Sequence, residues 1–130
     1  MPVRIENVTI DCRDSRTLGA FWSAVLGYEV AVDQPGDWLV LRDPGGKPPN
    51  IAFQVVPEVK IVKNRVHLDL ELTAGSLGEE IGRMERLGAS RVRYLENDPD
   101  ESHWVMADPE GNEFCASRLA WEPRPERPGV

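Results

Sequence analysis

The feature that most constrains this chain is that it repeats itself. Val8-Thr9-Ile10-Asp11-Cys12 alternates apolar and polar residues, as a half-buried strand does. Residues 65–72 alternate in the same way, with Val66, Leu68, Leu70 and Leu72 apolar. An amphipathic helix pattern follows each strand. The first runs over about residues 14–26 and gathers Leu18, Phe21, Trp22, Val25 and Leu26 on one face. The second runs over about 76–87 and gathers Leu77, Ile81, Met84 and Leu87. Asp14 or Ser15 caps the first, and Ser76 with Glu79 has capping-box spacing. Both helices stop on Leu-Gly, at Leu26-Gly27 and Leu87-Gly88, where glycine accepts a left-handed backbone.

Three short strand patterns then follow each helix. They lie at about 28–34, 38–42 and 50–56 in the first half, and 91–96, 102–107 and 113–117 in the second. The last two strands of each trio are joined by Asp43-Pro44-Gly45-Gly46 or Asp108-Pro109-Glu110-Gly111, both strong turn sequences. Both turns follow a strand carrying a tryptophan, Trp38 or Trp104. The unit β-α-β-β-β therefore occurs twice. The expected fold class is α+β, with two βαβββ modules forming cup-shaped antiparallel sheets. One domain spans 1–120, built from modules 4–56 and 65–119 with connector 57–64. Pro123, Pro125 and Pro128 make 121–130 a flexible tail by expectation.

Charge and hydropathy remove several function classes. The chain carries 22 acidic against 15 basic residues, net −7, so it lacks the basic face a nucleic-acid partner requires. Arg83/Arg86 and Arg91/Arg93 are the only basic concentrations, and acids interleave them. No apolar run exceeds four residues, as in Trp38–Leu41, where a membrane span needs about 20. Two cysteines, Cys12 and Cys115, give no disulfide framework, and a cytoplasmic protein with reduced thiols is expected.

Strand period two allows the repeat to be read face by face. Val8, Ile10 and Cys12, like Leu68, Leu70 and Leu72, face the helices. Asn7, Thr9 and Asp11, like His67, Asp69 and Glu71, face the other way. That second face is too polar for a helix-packed core and must look into water or a ligand-lined cup. In the closing strand of each half, Gln54 and Cys115 fall on the polar side. The expected cup floor is therefore Asn7, Gln54, His67 and Cys115. Asp69 and Glu71 stand at its rim, with Trp38, Trp104 and His103 as walls on which a flat ligand stacks. Each has a purely structural alternative: a hydrogen-bonded half-buried histidine, backbone-satisfying amides, a small hydrophobe at Cys115, core-packing tryptophans. Cys12 faces the helices and Cys115 the cup, which separates the two thiols.

Phe21-Trp22-Ser23-Ala24-Val25-Leu26-Gly27, Asp108-Pro109-Glu110-Gly111-Asn112-Glu113-Phe114 and the paired units resemble the vicinal oxygen chelate superfamily. This is the group of glyoxalase I, bleomycin-resistance proteins and extradiol dioxygenases. The resemblance covers about residues 4–119 and is greatest to glyoxalase-like domain proteins. It implies divalent-metal ligands at Asn7, Gln54, His67 and Cys115. Enzymes of the group carry His, Glu or Gln at such positions, so His67 and Gln54 match while Asn7 and Cys115 depart. No carboxylate is among the four, and a thiol beside two amides mixes soft and hard donors. The expectation is a small-molecule-binding protein with a degenerate metal site that sequesters or senses an organic ligand, with no cofactor. Should a metal bind, zinc on His67, Gln54 and Cys115 is the favoured arrangement. The alternative is a metal-dependent lyase, isomerase or dioxygenase. A third reading is an interaction module that has lost its pocket. The resemblance also implies a homodimer, and open sheet edges that need cover point the same way.

Overall fold

The computed structural model describes residues 2–95 and 103–117, and the expected tail at 121–130 lies outside them. The first module contains β1 (Asn7–Cys12), α1 (Ser15–Leu26), β2 (Glu29–Gln34), β3 (Trp38–Arg42) and β4 (Asn50–Val55). The second contains β5 (Leu68–Glu71), α2 (Leu77–Leu87), β6 (Ser90–Leu95), β7 (His103–Ala107) and β8 (Glu113–Ser117). Each forms a four-stranded sheet, ordered β1-β4-β3-β2 and β5-β8-β7-β6. Each sheet is mixed, because β1 pairs with β4, and β5 with β8, in parallel. Parity explains this. The helix returns the chain to the starting end, so the second strand of each module runs with the first. The third then runs against it, and the fourth runs with it again. Among the described residues no helix is long and apolar enough to cross a membrane.

The helix ends follow the sequence signals. Gly27 closes α1 at φ 72° and its N–H bonds the Ser23 carbonyl. Asp14 caps the other end, accepting from Thr17 N at 3.1 Å and Thr17 Oγ1 at 2.7 Å. Those bonds hold its carboxyl below the ordinary aspartate range. The depressed value means that the stabilisation is complete above the unfolded pKa, about 3.9, and is lost as pH falls through the folded value. Asp14→Ala should therefore lower stability by about 1 kcal/mol at pH 7. The difference from wild type should shrink on going to pH 3, as followed by urea unfolding at both pH values.

The core lies on the helix side of both sheets and crosses between modules. Leu18, Phe21, Trp22, Leu41 and Phe53 join Ile81, Met84, Met106 and Phe114 in one buried cluster. Gly19 lets α1 lie close on β3: a Cβ there would meet Leu39 Cδ2 at 2.7 Å. Trp22 reaches into the second module, its ring 4.9 Å from that of Phe114 and its Nε1 donating to Asp108 at 3.1 Å. Asp108 is buried and also accepts from Glu110 N, Asn112 N and Asn112 Nδ2. The Glu110 carboxylate accepts from Arg13 N at 2.7 Å and Asp14 N at 2.8 Å. Arg83, held by Glu80, donates to the Ala24 and Val25 carbonyls at the end of α1. The modules thus pack through their helical sides, and the opposite sheet faces, which carry Asp69 and Cys115 beside the buried Val40, Ala52 and Val105, turn away from that core.

Two details differ from expectation. β5 begins at Leu68 rather than near residue 65, and Val66 is 75% exposed. Asn64 is the reason. Its side chain takes the Glu113 N–H at 3.0 Å and donates to the Val66 carbonyl, using ladder positions that an earlier start to β5 would need. Leu87, expected inward, is 36% exposed at the last residue of α2.

Candidate functional site

Three chemically different donors meet on the outward face of the second sheet. His67 and Asp69 share that face because they are two residues apart. The parallel register sets Asp69 opposite Cys115. His67 Nδ1 lies 3.2 Å from Asp69 Oδ1. One imidazole nitrogen, one carboxylate oxygen and the Cys115 sulfur all lie within 4.8 Å of one another. His67 and Asp69 are exposed and Cys115 is half-buried. Burial, and then the neighbouring Asp69 carboxylate, push the Cys115 thiol above its ordinary pKa. Glu113 is paired with Lys63 at 2.7 Å, and that bond holds its carboxyl below the usual range. Cys12 is buried on the helix side and pushed up to about 11 by burial and then Glu110, so it is an inert core thiol.

The first sheet carries no matching group of donors. Asn7 sits opposite Asn50, whose Nδ2 donates to it at 3.2 Å. Gln54 lies opposite Asp11, four rungs and roughly 13 Å further along. There it donates to the Asp37 carbonyl at 3.0 Å and to Asp37 Oδ1 at 3.1 Å. The expected four-residue floor is thus spread out: His67 and Cys115 come together, whereas Asn7 and Gln54 stand at separate points. The ladder equivalent of Cys115 is Ala52, opposite Thr9, and not Gln54.

The two tryptophans part company. Trp38 shares a rung with Gln54 and stands half-buried on the outward face. Trp104 shares a rung with buried Ala116 and packs against the core. Its ring lies 5.1 Å from that of Tyr94 and 4.9 Å from the Arg91 guanidinium carbon. His103, opposite Ser117, takes the outward position instead. The sequence contained a signal for this. Trp38 precedes its turn aspartate by five residues (43 − 38) and Trp104 by four (108 − 104), so strand alternation puts them on opposite faces.

A cleft of about 690 Å³ runs over the edge of β1 beneath the connector, with Val8, Ile10, Val59, Lys63 and Glu113 among its lining. His67 lines it too, and so stands where the cleft meets the outward face.

Imidazole, carboxylate and thiolate together suit a borderline ion such as zinc, with an open position left for a ligand. They do not suit manganese or magnesium, which favour oxygen donors.

The glyoxalase-like domain profile matches residues 7–117. Among curated proteins the sequence has no match. A glyoxalase/bleomycin resistance protein/dioxygenase family enzyme from Burkholderia phytofirmans PsJN is 20% identical, with a TM-score of 0.71 over 88% of this chain and 98% of that one. A mutant fosfomycin resistance protein, FosX, from Listeria monocytogenes, complexed with Mn(II) and 1S,2S-dihydroxypropylphosphonic acid, is 12% identical. Its TM-score is 0.75 over 94% of both chains. A glyoxalase-related enzyme from Fulvimarina pelagi is 15% identical, with a TM-score of 0.70 over 89% of this chain and 88% of that one. These neighbours share the fold of paired modules, and the profile runs from the first residue of β1 to the last of β8: this chain belongs to the glyoxalase-like domain family.

Proposed function

We propose that this protein binds a small polar organic molecule on the outward face of its second module, around His67, Asp69 and Cys115. The observation that carries the reading is the meeting of three different donors within 4.8 Å on the sheet face turned away from the helices, beside the buried Val105. Folding does not explain the cluster, because exposed polar groups gain little by pairing. Trp38 and Gln54, on the corresponding face of the first module, offer a second polar-aromatic surface. Sequestering or sensing the ligand requires nothing beyond these contacts. The same donors favour a second reading, a metal-dependent lyase, isomerase or dioxygenase. A zinc ion held by His67, Asp69 and Cys115 would supply Lewis acidity to a ligand oxygen.

Metal-stripped protein screened by thermal shift against small carboxylic, hydroxamic and phosphonic acids should give hits. His67→Ala should weaken them roughly tenfold, the worth of one lost hydrogen bond. The melting temperature without ligand should stay near wild type, since His67 is exposed. Hits that bind His67→Ala as tightly as wild type would contradict the assignment. The reading includes a homodimer, with Val3, Ile5, Val59, Ile61 and Val62 exposed for a second copy to cover. Light scattering on the same samples should return twice the 14.6 kDa chain mass, and a monomer mass would remove that part.

A further inference from the structure

We infer that the cleft beneath the connector is a second ligand site, one that takes a medium-chain fatty carboxylate, with its hydrocarbon against the cleft floor and its anionic end at Lys60 and Arg65. This site is distinct from the binding face, since Asp69 and Cys115 do not line the cleft.

Apolar groups set the shape. The floor is Cys12, Trp22 and Phe114, buried core side chains drawn from both modules. The roof is Val59, Val62 and Val66, which are 62–75% exposed. Three valines so exposed over an apolar floor are surface that a hydrocarbon gains by covering. β1 and β5 are edge strands of separate sheets and both line the cleft, so no ladder closes it. The lining follows β1 from Val8 to Cys12, roughly 13 Å along the strand, which suits an extended chain better than a compact ligand. Its volume of about 690 Å³ lies within the range of small-molecule sites.

Charge sets the polarity. Of the carboxylates in the lining, Glu110 is held by the Arg13 and Asp14 amides and Glu113 by Lys63. Asp11 and Glu58 flank the joined ends of β1 and β4, where the Val56 N–H bonds the Cys12 carbonyl. Around Glu113 the cations are in excess: the Lys63 bond, and then the Arg93 and Lys60 charges, hold its carboxyl below the usual range. Lys60 turns back onto the roof, donating to the Val62 carbonyl. Arg65 lies two residues beyond Lys63, and no ion pair engages it among the described residues. Its planar fork suits a carboxylate, whereas an alkylammonium meets repulsion there. Ile61, 88% exposed, is not in the lining, so the connector keeps an outer side for a second copy as well as an inner one for a ligand.

In a calorimetric titration of the full chain, decanoate should bind at one equivalent per chain. From hexanoate to decanoate the affinity should rise about fourfold per methylene, the worth of burying each one. Decanol should bind roughly tenfold weaker than decanoate, and decylamine weaker still. Arg65→Glu should weaken decanoate roughly tenfold and leave decanol unchanged. Val59→Asp should weaken both, because it sets a charge in the roof. Asp69→Asn should leave both as in wild type. Arg65 and Val59 are exposed, so neither substitution threatens the fold. Affinity independent of chain length, decanol or decylamine binding as tightly as decanoate, or decanoate binding unchanged in either variant would each overturn the inference. So would decanoate that does not bind; if Val59→Asp then also lowers the light-scattering mass from dimer to monomer, the cleft belongs to a second copy.

Discussion

Asp108→Ala should lower the unfolding free energy by roughly 3–5 kcal/mol, read from the urea midpoint at neutral pH. Asp108 is 3% exposed. Its carboxylate accepts from the Trp22 indole, from the Glu110 and Asn112 backbone, and from the Asn112 amide. Alanine leaves the buried indole N–H and the turn amides without an acceptor, and stranded buried donors cost about 1–3 kcal/mol each. The turn also aims Glu110 at the Arg13 and Asp14 amides, so the loss spreads to the joint between modules. Asp108→Asn keeps one acceptor oxygen and should cost less. A loss under about 1 kcal/mol for the alanine variant would show that the turn does not organise this joint.

Trp22→Ala should destabilise by a similar amount, about 3–5 kcal/mol, for a different reason. Trp22 is 1% exposed and stacks edge-on against Phe21 and Phe114, rings drawn from both modules. Removing it opens a cavity where α1 meets β8. The two substitutions share the Trp22–Asp108 bond, so the double variant should lose less than the sum. Trp22→Phe should fall between, keeping much of the ring while removing the indole donor. Full additivity in the double variant would mean that the bond couples nothing.

The repeat was legible because each element carries a local signal: Leu-Gly at both helix ends, Ser76 before Glu79, and alternating strands. The sheets were expected antiparallel, and they are mixed: counting reversals makes the first and last strands of each module parallel. The site was legible only in part. Strand alternation identifies a face but cannot see a slip of two residues, which leaves the face unchanged. Gln54 therefore looked equivalent to Cys115, although the ladder makes Ala52 the equivalent and moves Gln54 roughly 13 Å away from Asn7. Asp69 was read as a rim residue. Register, a long-range property fixed here with help from the Asn64–Glu113 bond, moves it to the centre of the cluster. The joint of Trp22, Asp108 and Glu110 was not legible, since hydrogen bonds across 86–97 residues leave no periodicity. Its turn, Asp108–Asn112, was read as a family marker, and the structure shows the physical work it does.

The most direct test of the binding face is an amide NMR map of the metal-stripped protein titrated with any hit from the acid library. The largest shifts should fall on Lys63, His67, Asp69, Glu113 and Cys115, with smaller ones at Trp38 and Gln54. Shifts confined to the cleft residues Val8, Ile10 and Val59, with His67, Asp69 and Cys115 unmoved, would contradict it and transfer the site to the space between the modules.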